Sequence, residues 1–132
     1  MLRKMLKSKI HRATVTDANL DYEGSIAVDP VVMKEANLIE FEKVHVLDVT
    51  NGNRLETYVI KGKENSGEVC INGAAAHLIN INDLVIIASY CSVNEEELKN
   101  FKPTIILVNK NGKDARDISS SSGSNHTRPG EI

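Results

Sequence analysis

Asn51-Gly52 stands between two runs in which apolar side chains alternate with polar ones, residues 43–49 (KVHVLDV) and 54–60 (RLETYVI). Alternation sends successive side chains to opposite faces of an extended strand, and Asn-Gly supplies the positive φ angles of a two-residue hairpin turn. A chain built on such a hairpin must bury one face of it and protect its strand edges. Further β-type runs occupy residues 9–15, 26–28, 68–71, 84–89 and 104–108, with turn signals at 80–83 and 111–112. Helical signals are brief by comparison. Residues 16–21 offer a cap and one turn, and Asp29-Pro30 places an N-cap before a proline at the first position of a helix reaching about residue 37. Residues 74–78 and 92–98 read as two more short helices, and Pro103 breaks the second. Six or seven short strands with no βαβ repeat predict a small, closed, mainly β barrel, because closure removes exposed edges.

Composition narrows the partners. With 132 residues, 41% of them hydrophobic, the chain suits one domain around one core. A net charge of −2 gives no overall positive field for nucleic acid or an anionic membrane. No apolar run approaches the roughly 20 residues of a membrane helix, so a soluble, cytoplasmic protein is expected. Arg3, Lys4, Lys7, Lys9 and Arg12 make the first twelve residues basic, yet the alternation that follows places them in the fold and not in a cleaved targeting segment. Cys70 and Cys91 lack CxxC spacing and sit beside β-type apolar residues, which predicts buried thiols and no metal site. After Gly112 the apolar pattern stops. Residues 1–112 are expected to form the domain, and 113–132, ending in SSSSGSNHTRPGEI, a disordered polar tail.

Few residues carry recognisable chemistry. The phosphate-binding and dinucleotide glycine motifs, HExxH and GxSxG are all absent. What remains are polar groups on strands: Lys9 and His11, two apart on one face; Arg54, Thr57 and Tyr58 on the second arm of the hairpin; and Asn72-Gly73 ahead of three alanines. Each has an ordinary alternative as a solvated charge, a half-buried aromatic or a packed corner. A strand running through Asn72-Gly73 into Ala74-Ala75-Ala76 also exposes backbone N–H groups to a small ligand. DYEGSIAVDP at 21–30 sets Gly24 before Ser25, either as a turn or as a peptide bond that reacts.

MLKSKIHRATVT, DANLDYEGSIAVD, VTNGNRLETYVI, INGAAAH and DLVIIASY, in this order and spacing, closely resemble the bacterial aspartate 1-decarboxylase family. The resemblance covers nearly all of the chain before the tail. It implies a six-stranded double-psi β-barrel with short helices, a homotetramer with sites between subunits, and decarboxylation of L-aspartate to β-alanine for pantothenate synthesis. It also implies a covalently bound pyruvoyl group derived from Ser25, with no metal and no pyridoxal phosphate. Self-cleavage between Gly24 and Ser25 would give chains 1–24 and 25–132. Ser25 would attack the carbonyl of Gly24, glycine being suited to a strained backbone there, while Thr57 and Asn72 match positions that hydrogen-bond the carbonyl and the developing oxyanion. After processing, the group at residue 25 would hold the substrate as a Schiff base. Lys9 and Arg54 match carboxylate-binding positions, without indicating which cation takes which carboxylate. Tyr58 matches the proton donor. The backbone of Gly73, Ala74 and Ala75 would complete a pocket lined by His11, Tyr22 and Ile86.

Two residues depart from the family pattern. Ile26 follows the serine where many members carry a small or sulfur-containing residue, and Leu47 stands where some are aromatic. Both bear on packing and processing rate more than on reaction type. The resemblance leaves open whether a maturation factor assists cleavage. A barrel that keeps the pocket without cleaving, serving as a ligand-binding or scaffold subunit, is the main competing expectation. A nucleic-acid-binding barrel module is the other.

Overall fold

The structure is a computed structural model that describes residues 1–112 and 115–119. Nine strands carry the fold: β1 (Arg3–Thr14), β2 (Asp17–Asn19), β3 (Ser25–Val28), β4 (Lys43–Asp48), β5 (Arg54–Lys61), β6 (Val69–Asn72), β7 (Leu84–Val93), β8 (Thr104–Val108) and β9 (Ala115–Asp117). They line up as β2-β6-β3-β5-β4-β7-β1-β8-β9. The molecule is thus mainly β and consistent with a β-barrel, although β2 and β9 do not pair with each other to close the sheet. The six strands implied by the resemblance become nine elements here.

The central hairpin forms where the alternation places it. Lys43 pairs with Tyr58, His45 with Glu56 and Leu47 with Arg54. Gly52 takes φ +82°, and the carboxylate of Asp48 accepts the N–H groups of Thr50 and Asn51 at 2.8 and 3.1 Å, fastening the turn. Helix α1 (Pro30–Glu35) is capped by Asp29, whose Oδ1 accepts from Val31 N at 3.0 Å. The same buried carboxylate also accepts from Asn65 and Gly67, tying the loop before β6 to the helix start. Helix α2 (Glu95–Leu98) opens on a capping box between Asn94 and Glu97.

One apolar core fills the inner face. Ile10, Ile26, Val44, Val46, Val59, Ile71, Ile87 and Ile106 are all buried there, each from a different strand or alternate position. In β4 and β5 the residues between them, Lys43, His45, Arg54, Glu56 and Tyr58, stay exposed or half-exposed on the outer face.

Several elements differ from the sequence-based expectation. Residues 17–19 are a strand and not a helical turn, because β2 gains parallel partners in β6, Asp17 with Cys70 and Asn19 with Asn72. Strand β1 begins at Arg3, so the basic segment is sheet paired with Ser92 and Val93 of β7. Ser92 is therefore strand, and the acidic helix starts only after Asn94. Ala75 and its neighbours form a 3-10 turn at Gly73–His77. Order also runs past Gly112, since Ala115–Asp117 pair with β8 as β9. The remainder of the expected tail, residues 113, 114 and 120–132, lies outside the described residues.

Candidate active site

Ser25 opens β3 and is 1% exposed. Its Cα partner across the β3–β6 ladder is Asn72, and the Asn72 amide Nδ2 donates to Ser25 Oγ at 2.9 Å. The orientation of that amide is fixed from the other side. Cys70, two residues back on the same face of β6, donates its thiol to Asn72 Oδ1 at 3.3 Å. Burial, then the nearby Asp17 and Glu68, pushes the Cys70 thiol up, so it stays protonated and serves as a donor. The sequence reading takes Cys70 only for a buried thiol, and its spacing of two from Asn72 on one strand is the signal of this contact.

Gly73 continues from Asn72 at φ +70°, and a Cβ there would lie 2.8 Å from both the Cα and the N of Gly24 and 3.0 Å from the Tyr22 carbonyl oxygen. Only glycine lets the end of β6 approach the Gly24–Ser25 bond this closely. Gly24 itself does not take a positive φ, and a Cβ on it would meet nothing within 4 Å. The positive φ sits across from Gly24, at Gly73. Ser25 Oγ also points toward the Glu23 carbonyl at 3.5 Å, a long contact.

Registers across the sheet locate the other candidates. Ile26 pairs with Val59 in parallel, so one step back sets Ser25 level with Tyr58 and Gly24 level with Thr57. Asn72, Ser25, Tyr58 and Lys43 thus form one row across four strands. Glu56, His45, Ala88 and Lys9 form the next row, across β5, β4, β7 and β1. Arg54, Leu47 and Ile86 form the third. Tyr58 is half-buried with its ring 6.2 Å from that of Phe41.

Within one chain, Ser25, Asn72 and Gly73 come together, with the Tyr22 backbone beside Gly73 and the side chain of Tyr22 exposed; Thr57 and Tyr58 lie level with residues 24 and 25 on the neighbouring strand, their side chains on opposite faces of β5. Ala74 is exposed and Ala75 half-buried at the start of the 3-10 turn. Lys9 and His11 are not brought to this group. Strand β1 lies three places from β5 in the sheet, roughly 14 Å at ordinary strand spacing. Lys9 and Arg54 form no ion pair among the described residues, which leaves both cations available. His11 sits at an irregularity of β1 between Ile10 and Ala13, with Nδ1 buried and unpaired. Burial, then Lys9 and Arg12, pulls its pKa down, favouring the neutral imidazole.

A further group on the outer face has no counterpart in the sequence reasoning. His45 Nε2 lies 2.8 Å from Glu56 Oε1, its Nδ1 lies 3.1 Å from the Tyr90 hydroxyl, and Lys43 Nζ lies 3.5 Å from Glu56 Oε2. The hydrogen bond from His45 and the charge of Lys43 hold the Glu56 carboxyl below the usual range. Among the described residues, no three His, Cys, Asp or Glu side chains gather as metal ligands, and no helix is long and apolar enough to cross a membrane.

A mainly β chain in which a buried serine, preceded by glycine, receives a fixed amide donor defines a barrel-type protein with an enclosed, hydrogen-bonded Gly-Ser junction. The profile described as aspartate decarboxylase matches residues 1–114. Proteins named aspartate 1-decarboxylase are similar along most of their length. The one from Clostridium botulinum (strain Loch Maree / Type A3) is 57% identical over 108 residues, 81% of this chain and 85% of the relative. Its counterpart in Campylobacter fetus subsp. fetus (strain 82-40) is 60% identical over 107 residues, 81% and 92% of the two chains. That of Thermoanaerobacter pseudethanolicus (strain ATCC 33223 / 39E) is 53% identical over 113 residues, 86% and 97%. The chain belongs to the aspartate decarboxylase family, and is an enzyme of that class.

Proposed function

We propose that this chain cleaves itself between Gly24 and Ser25 and then removes the α-carboxylate of L-aspartate, releasing carbon dioxide and β-alanine for pantothenate synthesis in the cytoplasm. The observation that carries the proposal is the Asn72 amide donating to the buried Ser25 hydroxyl at 2.9 Å, in a chain of this family. In the first stage Ser25 Oγ attacks the Gly24 carbonyl carbon and its proton passes to the departing Ser25 nitrogen, leaving an ester and a free amine. Loss of the Ser25 Cα proton then breaks the Cβ–O bond, which frees the carboxylate of Gly24 and leaves a dehydroalanine. Water replaces its nitrogen, ammonia departs, and the new chain start carries a pyruvoyl group. Asn72 and Thr57 serve the first stage by hydrogen bonding the hydroxyl and the carbonyl oxygen as charge develops.

The surroundings fit such a group. Oγ has a donor, Gly73 brings the backbone close, and Gly24 has open space beside it. When formed, the pyruvoyl ketone supplies a carbonyl for the substrate amine and a sink for the electrons released with carbon dioxide. The remaining roles belong to ordinary side chains. Arg54 grips a carboxylate through its planar fork, Lys9 holds the other as a point charge, and Tyr58 returns a proton to Cα. His11, Tyr22 and Ile86 line the pocket, and the backbone of Gly73, Ala74 and Ala75 closes it.

Separation of Lys9 from Arg54 across three strand positions supports a site completed by a neighbouring subunit of a homotetramer. Half-buried Leu47, Ile86 and Leu107 on the outer face suit such packing. The test is to supply purified enzyme with L-aspartate and measure carbon dioxide and β-alanine. Equal amounts of both, lost in Ser25→Ala, support the proposal; unchanged turnover in Ser25→Ala contradicts it.

A further inference from the structure

Arg54 and Glu56 lie two residues apart on one face of β5, close enough to form an ion pair that would occupy Arg54 before any substrate arrived. That pair is not made. Both oxygens of Glu56 are engaged elsewhere, Oε1 with His45 Nε2 at 2.8 Å and Oε2 with Lys43 Nζ at 3.5 Å. His45 is in turn anchored at Nδ1 by the Tyr90 hydroxyl at 3.1 Å, with the two rings edge-on at 5.1 Å. In the neutral ring, Tyr90 O–H donates to Nδ1 and Nε2–H donates to Glu56, so one tautomer satisfies both contacts.

His45 and Glu56 also line two concavities. One, of about 600 Å³, is bounded also by Lys4, Lys43, Val44 and Tyr90, and the other, of about 160 Å³, by Leu47, Arg54 and Leu55. Arg54 thus shares a concavity with Glu56, a carboxylate able to compete with a dicarboxylate ligand.

We infer that His45 is a positioning residue that keeps the Glu56 carboxylate turned away from Arg54, so that Arg54 remains free to take a carboxylate of the substrate. The inference rests on Arg54 being a carboxylate-binding cation. Lys43 assists as a second holder, and Tyr90 fixes the ring. Loss of His45 releases Glu56 to pair with Arg54 and to repel an arriving dicarboxylate. Substrate capture suffers while the reacting groups at Ser25 and Tyr58 stay in place.

The test measures KM and kcat for aspartate and the inhibition constant of succinate, a dicarboxylate with no amine, on the full processed enzyme. In His45→Ala, KM and the succinate constant should both rise about two- to fivefold, the strength of one exposed ion pair, with kcat within about twofold of wild type. His45→Gln, which keeps an N–H near the Nε2 position, should stay near wild type. Adding Glu56→Gln to His45→Ala should restore both constants, which a merely structural defect would not allow. Unchanged constants in His45→Ala, or no recovery in the double variant, overturn the inference while Arg54→Ala still weakens succinate. If Arg54→Ala leaves succinate binding unchanged, the assignment of Arg54 falls and the inference with it.

Discussion

Asn72 and Ser25 face each other across the β3–β6 ladder, and the Asn72 amide reaches the Ser25 hydroxyl at 2.9 Å while its oxygen is held by the Cys70 thiol. The proposed nucleophile, its donor and the residue that orients the donor thus lie on two adjacent strands. Asn72→Ala removes the donor and leaves two buried groups without their partner. Cleavage at Gly24–Ser25 should slow by roughly 10²–10³-fold, the usual cost of losing one such donor. Time courses of chain cleavage on gels measure this, and a rate equal to wild type would remove Asn72 from the processing step.

Gly73→Ala tests the close approach of backbone to the scissile bond. The new Cβ would stand 2.8 Å from Gly24 at a φ of +70°, so the segment must shift. Strain of ~1–3 kcal/mol is expected, together with impaired cleavage. Urea denaturation and the same gel assay read both effects.

Tyr58→Phe keeps the ring that lies 6.2 Å from Phe41 and deletes only the hydroxyl. Folding and cleavage should proceed, whereas turnover of aspartate should fall by roughly 10²–10⁴-fold, as for loss of a general acid. Full turnover in a cleaved Tyr58→Phe enzyme would require another proton donor.

Asp48 gives a pH dependence of stability. It is buried beside Asp83, and burial, with a hydrogen bond and repulsion from that neighbour, raises its pKa from 3.8 to about 6. Because the folded protein holds this proton more tightly than the unfolded chain, the contribution is fully present below about pH 4 and is lost as pH rises through about 6. Asp48→Asn supplies a neutral donor toward Asp83 and keeps the acceptor used by the turn. It should raise stability at pH 7 relative to wild type and flatten the fall between pH 4 and 7, as measured by urea midpoints. A wild-type midpoint that rises over this range, with no gain in the variant, would contradict the shift.

Much of the fold was legible where local chemistry decides it. The β4–β5 hairpin follows from alternation around Asn51-Gly52, and α1 follows from Asp29-Pro30. Strand β2 was not legible, because Asp17, Ala18 and Asn19 have cap and turn propensities that its pairing with β6 overrides. Sheet order was equally hidden, since alternation marks a strand without naming its partner. The site divides in the same way. Ser25, Tyr58, Thr57 and Asn72 stand out as polar groups on strands or in a turn and take roles from the family resemblance, whereas the partners of Cys70 on its own strand β6, and of His45 and Glu56 across β4 and β5, appear only in the fold. The need for glycine at position 73, with its positive φ against residues 22–24, emerges only from the packing of β6.

The central claim is that the Gly24–Ser25 bond is the reactive one. An intact-mass spectrum of the purified, denatured protein tests it before any assay of turnover. The account predicts two species, residues 1–24 and a 25–132 fragment lighter by one ammonia than a serine-started chain. A single uncut chain of 14.5 kDa that persists through prolonged warming would contradict it and favour a barrel that binds without processing.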